Sequence, residues 1–232
     1  MLSRLPQQIW IGLPAIAIAL ALLSFAPLWY WPWIIATALF VVFLSHHQNW
    51  RARLTTQEIS EGLQRLSDSP DLADLRAFFE ADDGREFFMV NLIQMNEGRI
   101  PHPDTGEEVP AHKLVEDYSR PFFRAALARG GYPLLLVERR GGDVDSWGAS
   151  IATHPQWPLV NLVRYRSRRD MLYLVTHPAF TSIHRFKREA IIQTISFPNR
   201  MLMAGFASPP ILVGLVLSLI AALCNVALLA TG

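Results

Sequence analysis

Apolar residues fill both ends of this chain, and polar residues interleave with them only in the middle. From Leu5 to Trp50 there is no Asp, Glu, Lys or Arg, and from Met201 to Gly232 there is none either. Arg4 is the single charged residue outside the stretch Arg51 to Arg200. That pattern predicts apolar helices at the ends and one water-soluble domain between them. Ile9 to Leu44 is 36 residues, enough for two short spans and a tight turn. Trp10 to Trp29 is 19 steps, and so is Trp31 to Trp50. Such an interval covers ~28 Å of helix, close to the hydrocarbon thickness whose boundaries Trp prefers. Pro27 and Pro32 bracket the turn, where a missing N–H costs least. A signal peptide ending at Ser24-Phe25-Ala26 is the competing reading. Pro27 directly after such a cut, and the apolar run beyond it, favour the hairpin. A third span follows Pro209-Pro210 and runs from Ile211 to about Ala230.

Within the middle stretch the periods change. Ile59, Leu63 and Leu66 share a helical face over 55–66, with Thr55 or Thr56 and Glu58 marking its start. Leu72, Leu75, Phe78 and Phe79 make the stripe of a second helix, which Asp82-Asp83-Gly84 ends. Glu86 to Gln94 is short, apolar and aromatic-rich and predicts a buried strand. Residues 96–110 are expected to be loop. A helix follows over 111–129, interrupted or kinked at Pro121 and stopped by Gly130-Gly131. Strands are expected over 132–140, 159–165 and 191–197, with Pro198 ending the last. Helices are expected over 168–176 and 180–190.

The expected domains are therefore an N-terminal transmembrane hairpin (1–50), a helical linker (51–85), an α+β domain (86–198) and a C-terminal transmembrane helix (199–232). The order β-α-β-β-α-β is the ferredoxin-like split pattern, one antiparallel sheet with helices on one face. Its other face, carrying Phe87, Met89 and Ile93 or their alternates, would be wet in a lone copy. A homodimer that pairs two sheets removes that exposed area.

Charge adds orientation. Arg4, Arg51, Arg53, Arg185, Lys187, Arg188 and Arg200 flank the spans on one side, and the turn and C-terminal tail have no basic residue. The positive-inside rule then puts the N-terminus and the domain in the cytoplasm and the C-terminus outside. Arg51 to Arg200 holds 20 basic residues (21 less Arg4) and 20 acidic ones, a neutral balance with no footprint for nucleic acid. The lone cysteine, Cys224, lies in the last apolar segment, so a disulfide or a cysteine metal centre within one chain is excluded. Charge-free spans argue against ion or proton transport. The chain has no Gly-rich phosphate loop, no dinucleotide fingerprint and no Ser-His-Asp signature.

FFMVNLIQM (87–95), the Tyr-containing helix ending in Gly130-Gly131, and PLVNLVRYRSRRDMLYLVTHPAFTSIHRFKREA (158–190) together resemble the dimeric α/β-barrel superfamily. Small bacterial families and antibiotic-biosynthesis-monooxygenase-like domains are the most similar groups. The resemblance covers about Phe87 to Pro198. It implies a ferredoxin-like dimeric α/β-barrel; the three transmembrane helices lie outside it and are read from the apolar ends, which place the chain in a bacterial plasma (inner) membrane. It also implies, if the chain is an enzyme, cofactor-independent or haem-linked monooxygenase-like chemistry. Asp170 to His184 is similar in spacing to the haem-ligand helix of haem-degrading monooxygenases. The proximal histidine falls at His184 and a first-strand Asn near Asn91, while Leu174 stands where those enzymes have Trp.

Alternation puts Phe87, Met89, Asn91 and Ile93 on one strand face, and Leu159, Asn161, Val163 and Tyr165 on one face of another. Asn91 and Asn161 are the polar exceptions. If both face the barrel interior they could orient an apolar or aromatic ligand, with Tyr165 and Trp157 lining the site and Trp147 covering its mouth. They could equally bond each other or a loop. His184 is the candidate base, or the axial ligand if haem binds; no other metal is expected. His46 and His47 follow the second span and are read as interfacial. His102, His112, Asp104, Glu107 and Glu108 are read as a solvated loop. The alternative to an enzyme is a non-catalytic accessory subunit docked on a larger membrane complex.

Overall fold

The computed structural model describes residues 30–66, 71–145, 147–148 and 157–231. The chain divides into two compact units, residues 1–45 with 205–232, and residues 46–204. In the first unit, α1 spans Trp31–His47, its last two residues belonging to the second unit, and α8 spans Pro209–Thr231. Among the described residues, α8 is the one helix long and apolar enough to cross a membrane, with 23 residues and a mean hydropathy of 2.6. Its Leu215, Leu219, Leu223 and Leu229 are exposed, as a lipid-facing helix requires and a core helix does not. The helix α1 is apolar but shorter, at 17 residues. The first expected span lies outside the described residues.

The second unit is a mixed α+β domain. Helices α2 (Thr56–Gln64) and α3 (Leu72–Glu80) lead into β1 (Phe87–Met95); then come β2 (Arg99–Pro101), β3 (Glu108–Pro110) and α4 (Ala111–Leu127). Strands β4 (Tyr132–Glu138) and β5 (Leu159–Tyr165) are followed by α5 (Arg168–Thr176), α6 (Pro178–Thr181), α7 (His184–Ala190) and β6 (Ile191–Asn199). The helix α2 begins with a capping box: Thr55 accepts from the Glu58 backbone N–H, and the Glu58 carboxylate accepts from that of Thr55. Ile59 and Leu63 on its inner face pack against Phe79 of α3 and Leu172 of α5, so α2 and α3 share the domain's own core.

Four strands form one antiparallel sheet in the order β4-β5-β1-β6. Phe87, Met89, Val163 and Tyr165 share a face, which packs on Phe122 and Ala126 of α4, Met171 and Leu174 of α5 and Phe180 of α6. The alternate residues Phe88, Val90, Leu92, Val160 and Leu162 point the other way. That second face remains largely open: Leu135, Val137, Ile195 and Phe197 are exposed on it.

Three local expectations change. Residues 96–110 contain the hairpin β2–β3, in which Ile100 and Val109 pair and pack beside Leu114 and Phe186. The helix α4 runs unbroken through Pro121, which is exposed. The last strand continues through Pro198, because β6 is an edge strand and a proline there removes no ladder bond on its free side.

Candidate functional site

Asn91 and Asn161 are direct cross-strand partners. Two residues before Asn91 lies Met89, whose partner is Val163, and both are in the helix-covered core. The two asparagines therefore face the helix layer and not the open face that two paired sheets would enclose. Asn91 accepts a hydrogen bond from Ser196 Oγ at 2.7 Å and donates weakly, at 3.4 Å, to the Met89 and Asn161 carbonyls. The Oδ1 of Asn161 is buried and has no hydrogen-bond partner among the described residues. A buried acceptor without a donor is costly and normally filled, by protein, water or ligand.

His184 opens α7 and is half-buried. Tyr118 meets its ring edge-on, with centroids 5.8 Å apart. Burial, reinforced by the nearby charges of Lys187 and Arg188, lowers the His184 pKa to about 4. The imidazole is thus neutral near pH 7. Burial also lowers the Lys187 pKa. We expect the His184 ring resonances to stay constant from pH 8 to pH 5 in an NMR titration; a midpoint near 6.5 would show an open, solvated ring.

Tyr118 is the hub that spacing alone presents as one more apolar-stripe residue of α4. It stacks on Phe122 at 5.6 Å and packs against two of the domain's hydrophobic clusters, one around Phe122 and one around Leu114 and Phe186. Burial raises its pKa to about 12. Tyr165 stacks on Phe87 at 5.2 Å and 7°. Its phenol is pushed up by burial and then by Tyr118. Both phenols stay protonated at neutral pH. The telling signal for Tyr118 was a hydroxyl within an otherwise apolar stripe. Trp157 stands half-buried two residues before β5. Trp147 is exposed. The structure thus joins Asn91 to Asn161, and His184 to Tyr165 through Tyr118. No hydrogen bond links His184 to either asparagine among the described residues.

The side chains beside His184 do not fit a haem. A porphyrin needs an open slot over the imidazole, but Tyr118 is packed on Phe122, and Phe122 meets Phe180 edge-on at 5.7 Å. Leu174 is 1% exposed in the same core. Among the described residues no three His, Cys, Asp or Glu side chains converge on a metal position. His102 and Asp104 hold the hairpin instead: Asp104 N–H donates to His102 Nδ1, the Asp104 carboxylate pairs with Arg185, and the His102 ring lies 5.2 Å from Phe186.

Two charged networks escaped the sequence reading. Arg164 is 2% exposed. It donates to Glu86 at 2.6 Å, to the Gly130 carbonyl at 2.5 Å and to the His47 carbonyl at 2.9 Å. Arg166 donates to the His46 carbonyl and, through two bonds of 2.8 Å, to Asp170. Two arginines thus cap the carbonyls at the end of α1, where the helix dipole is negative. His47 is consequently buried. Its pKa falls to about 4 through burial and then the Arg164 charge. Gly130 is required at this junction: it has φ +72°, and a Cβ there would lie 2.8 Å from the His46 carbonyl oxygen.

No protein-family model matches the chain, and no curated protein matches it. Solved structures that resemble it in part include two of the same protein. One is a protein of unknown function from Rhodopseudomonas palustris, RPA0582, with 16% identity and a TM-score of 0.47 over 59% of this chain and 95% of that one. The other is the methylated RPA0582 protein, with 17% identity and a TM-score of 0.46 over 60% of this chain and 94% of that one.

Proposed function

We propose that the chain is a membrane-anchored α/β-barrel-type domain that binds a small apolar or aromatic molecule between its sheet and its helices. The observation that carries this reading is the Asn91–Asn161 pair, facing an apolar helix layer with the Asn161 Oδ1 buried and unpartnered among the described residues. A ligand hydroxyl would supply the missing donor. His184, neutral beside Tyr118, would be the base for a proton other than the one Asn161 holds, and Tyr165 would complete the apolar wall. Oxygenation of an electron-rich aromatic without a cofactor is the chemistry these groups suit. The antibiotic-biosynthesis-monooxygenase-like resemblance supports it; a haem-linked version receives no support from the packing around His184.

The strand order β4-β5-β1-β6 supports the ferredoxin-like assignment, since it places the first strand beside the third and the last. The exposed Leu135, Val137, Ile195 and Phe197 support a homodimer through the open face. Replacing Ile195 with Glu should convert a dimer to a monomer by light scattering in detergent, and an unchanged mass would remove that interface. The apolar α8 supports a membrane anchor; the charge-free stretch from Leu5 to Trp50 and the arginines flanking the apolar ends are the sequence grounds for reading it as multi-pass, with the domain on the cytoplasmic side of the inner membrane.

Oxygen uptake with a panel of hydroxynaphthalenes and hydroxyanthracenes tests the enzymatic reading. The expected result is ligand-dependent uptake that Asn91→Ala and His184→Ala each lower by about 100-fold, the ordinary weight of a general base. Uptake that survives both replacements would sink the site assignment. Absence of uptake, with other membrane subunits co-purifying in mild detergent, would favour the accessory-subunit reading, to which the same exposed sheet face is suited.

A further inference from the structure

Four arginines meet at one end of the domain's sheet. Arg51 and Arg53 lie in the segment that follows α1. Asn49 in that segment donates to the Gly84 carbonyl at 2.8 Å, and a Cβ on Gly84 would lie 3.9 Å from Arg53 Cγ. Arg85 follows Gly84 and precedes β1. Arg200 follows Asn199, the strand partner of Phe88 near the start of β1. All four are exposed, and none forms an ion pair among the described residues. The carboxylates at this end are otherwise occupied or too few. Glu86 is paired with Arg164, Asp82 is buried and accepts from the Leu54 and Gly84 N–H groups, and Asp83 accepts from the Arg85 N–H. Arg169 stands nearby but is held by Glu58 and by the Ala52 and Arg53 carbonyls. Trp50, 61% exposed, completes the surface.

Both connections to the apolar unit leave the domain at this same end. One runs through His46 and His47, whose carbonyls Arg166 and Arg164 hold, and the other follows β6. Arg51 is seven residues beyond Leu44, the last residue of the apolar run. Seven residues reach at most ~25 Å even when fully extended, so the arginines cannot be far from the point where the apolar segment ends. Exposed guanidiniums without ion-pair partners among the described residues, beside an exposed Trp, are suited to phosphate oxygens at a bilayer surface.

We propose that Arg51, Arg53, Arg85 and Arg200 form a binding surface for anionic phospholipid headgroups, which seats the sheet end of the domain on the membrane. This rests on the reading of the apolar unit as a membrane anchor. The full chain is reconstituted into nanodiscs of phosphatidylcholine alone, or of phosphatidylcholine with phosphatidylglycerol. Hydrogen exchange over 49–55 and 83–86 and the thermal midpoint are measured in both. The wild type should show slower exchange and a higher midpoint with phosphatidylglycerol, and the difference should shrink as salt is raised. Each Arg→Gln change should weaken phosphatidylglycerol retention roughly fivefold. The variant R51Q/R53Q/R85Q/R200Q should lose the difference while matching the wild type in phosphatidylcholine.

Equal behaviour of the wild type in the two lipids overturns the proposal, and so does a difference that the quadruple variant keeps. If the quadruple variant fails to fold in phosphatidylcholine, R51Q/R53Q alone should halve the midpoint difference, and an undiminished difference then counts against the proposal. Failure of the anchor reading is separately visible, because the chain would not enter nanodiscs at all and could carry no lipid preference.

Discussion

Replacing Arg164 with methionine is expected to cost about 3 kcal/mol of stability, near the lower end for breaking a buried charge network. The side chain length is roughly kept, so the loss is electrostatic and not a cavity. Glu86 is left 46% exposed and can return to water, which limits the penalty. The carbonyls of Gly130 and His47 cannot: they lose their donor inside a buried junction. For a chain of this size the thermal midpoint in detergent should fall by roughly 10 °C. Arg164→Lys should recover less than half of that, since a single ammonium cannot serve three separated acceptors in the fork geometry. A methionine variant that melts with the wild type would show that the end of α1 is held by something else.

The second large effect is at Asp170. This carboxylate is 3% exposed and sits at the start of α5. Ser167 Oγ donates to it at 2.7 Å, Arg166 donates twice and Arg129 pairs with it at 3.4 Å. Burial opposes its charge, but the Arg166 and Ser167 hydrogen bonds and the Arg166 and Arg129 charges outweigh burial, leaving the pKa below the usual carboxylate value. Asp170→Asn keeps the shape and removes the charge, and is expected to cost about 3 kcal/mol at pH 7. The folded pKa lies below the unfolded one, so the contribution is complete above the ordinary carboxylate pKa and disappears as pH falls through the folded value. The gap between wild type and variant should therefore be widest at neutral pH and narrow in acid. A gap independent of pH would mean that the asparagine fails for steric reasons.

His47 and His184 act in the same direction over a different window. Both have folded pKa values lowered to about 4. Their contribution is complete above pH ~6.5, the unfolded value, and is lost as pH falls towards 4. The wild-type midpoint should fall across that range, and less steeply in His184→Gln.

Much of the domain was legible because its signals are local. Strand β5 was expected over 159–165 and occupies those residues, since a short β-branched and apolar run bounded by Pro158 leaves little choice. The α2 capping box and the Gly130-Gly131 stop were equally local. What failed to show was set by partners distant in sequence. The three-residue strands β2 and β3 are too short to establish a period, and they exist because Ile100 and Val109 find Phe186 and Leu114 to pack on. Arg164 falls on the alternation opposite Val163 and Tyr165 and so reads as a solvent-facing charge. It is buried by His47, 117 residues away. Alternation likewise put Asn91 and Asn161 on matching faces, but not on the face that α4 to α7 would cover. That choice depends on which side the crossover helices pack, and it moves the candidate site from between two sheets to between sheet and helices.

The most direct test is a titration of the isotope-labelled full chain in detergent with 1-naphthol, an aromatic probe carrying one hydroxyl donor, read at the side-chain amide resonances. The account predicts saturable shifts of the Asn91 and Asn161 amides, with those of Gln94 and Gln193 unmoved on the open face. Shifts confined to Gln94 and Gln193, or none at all at saturating probe, would contradict a binding site between the sheet and its helices.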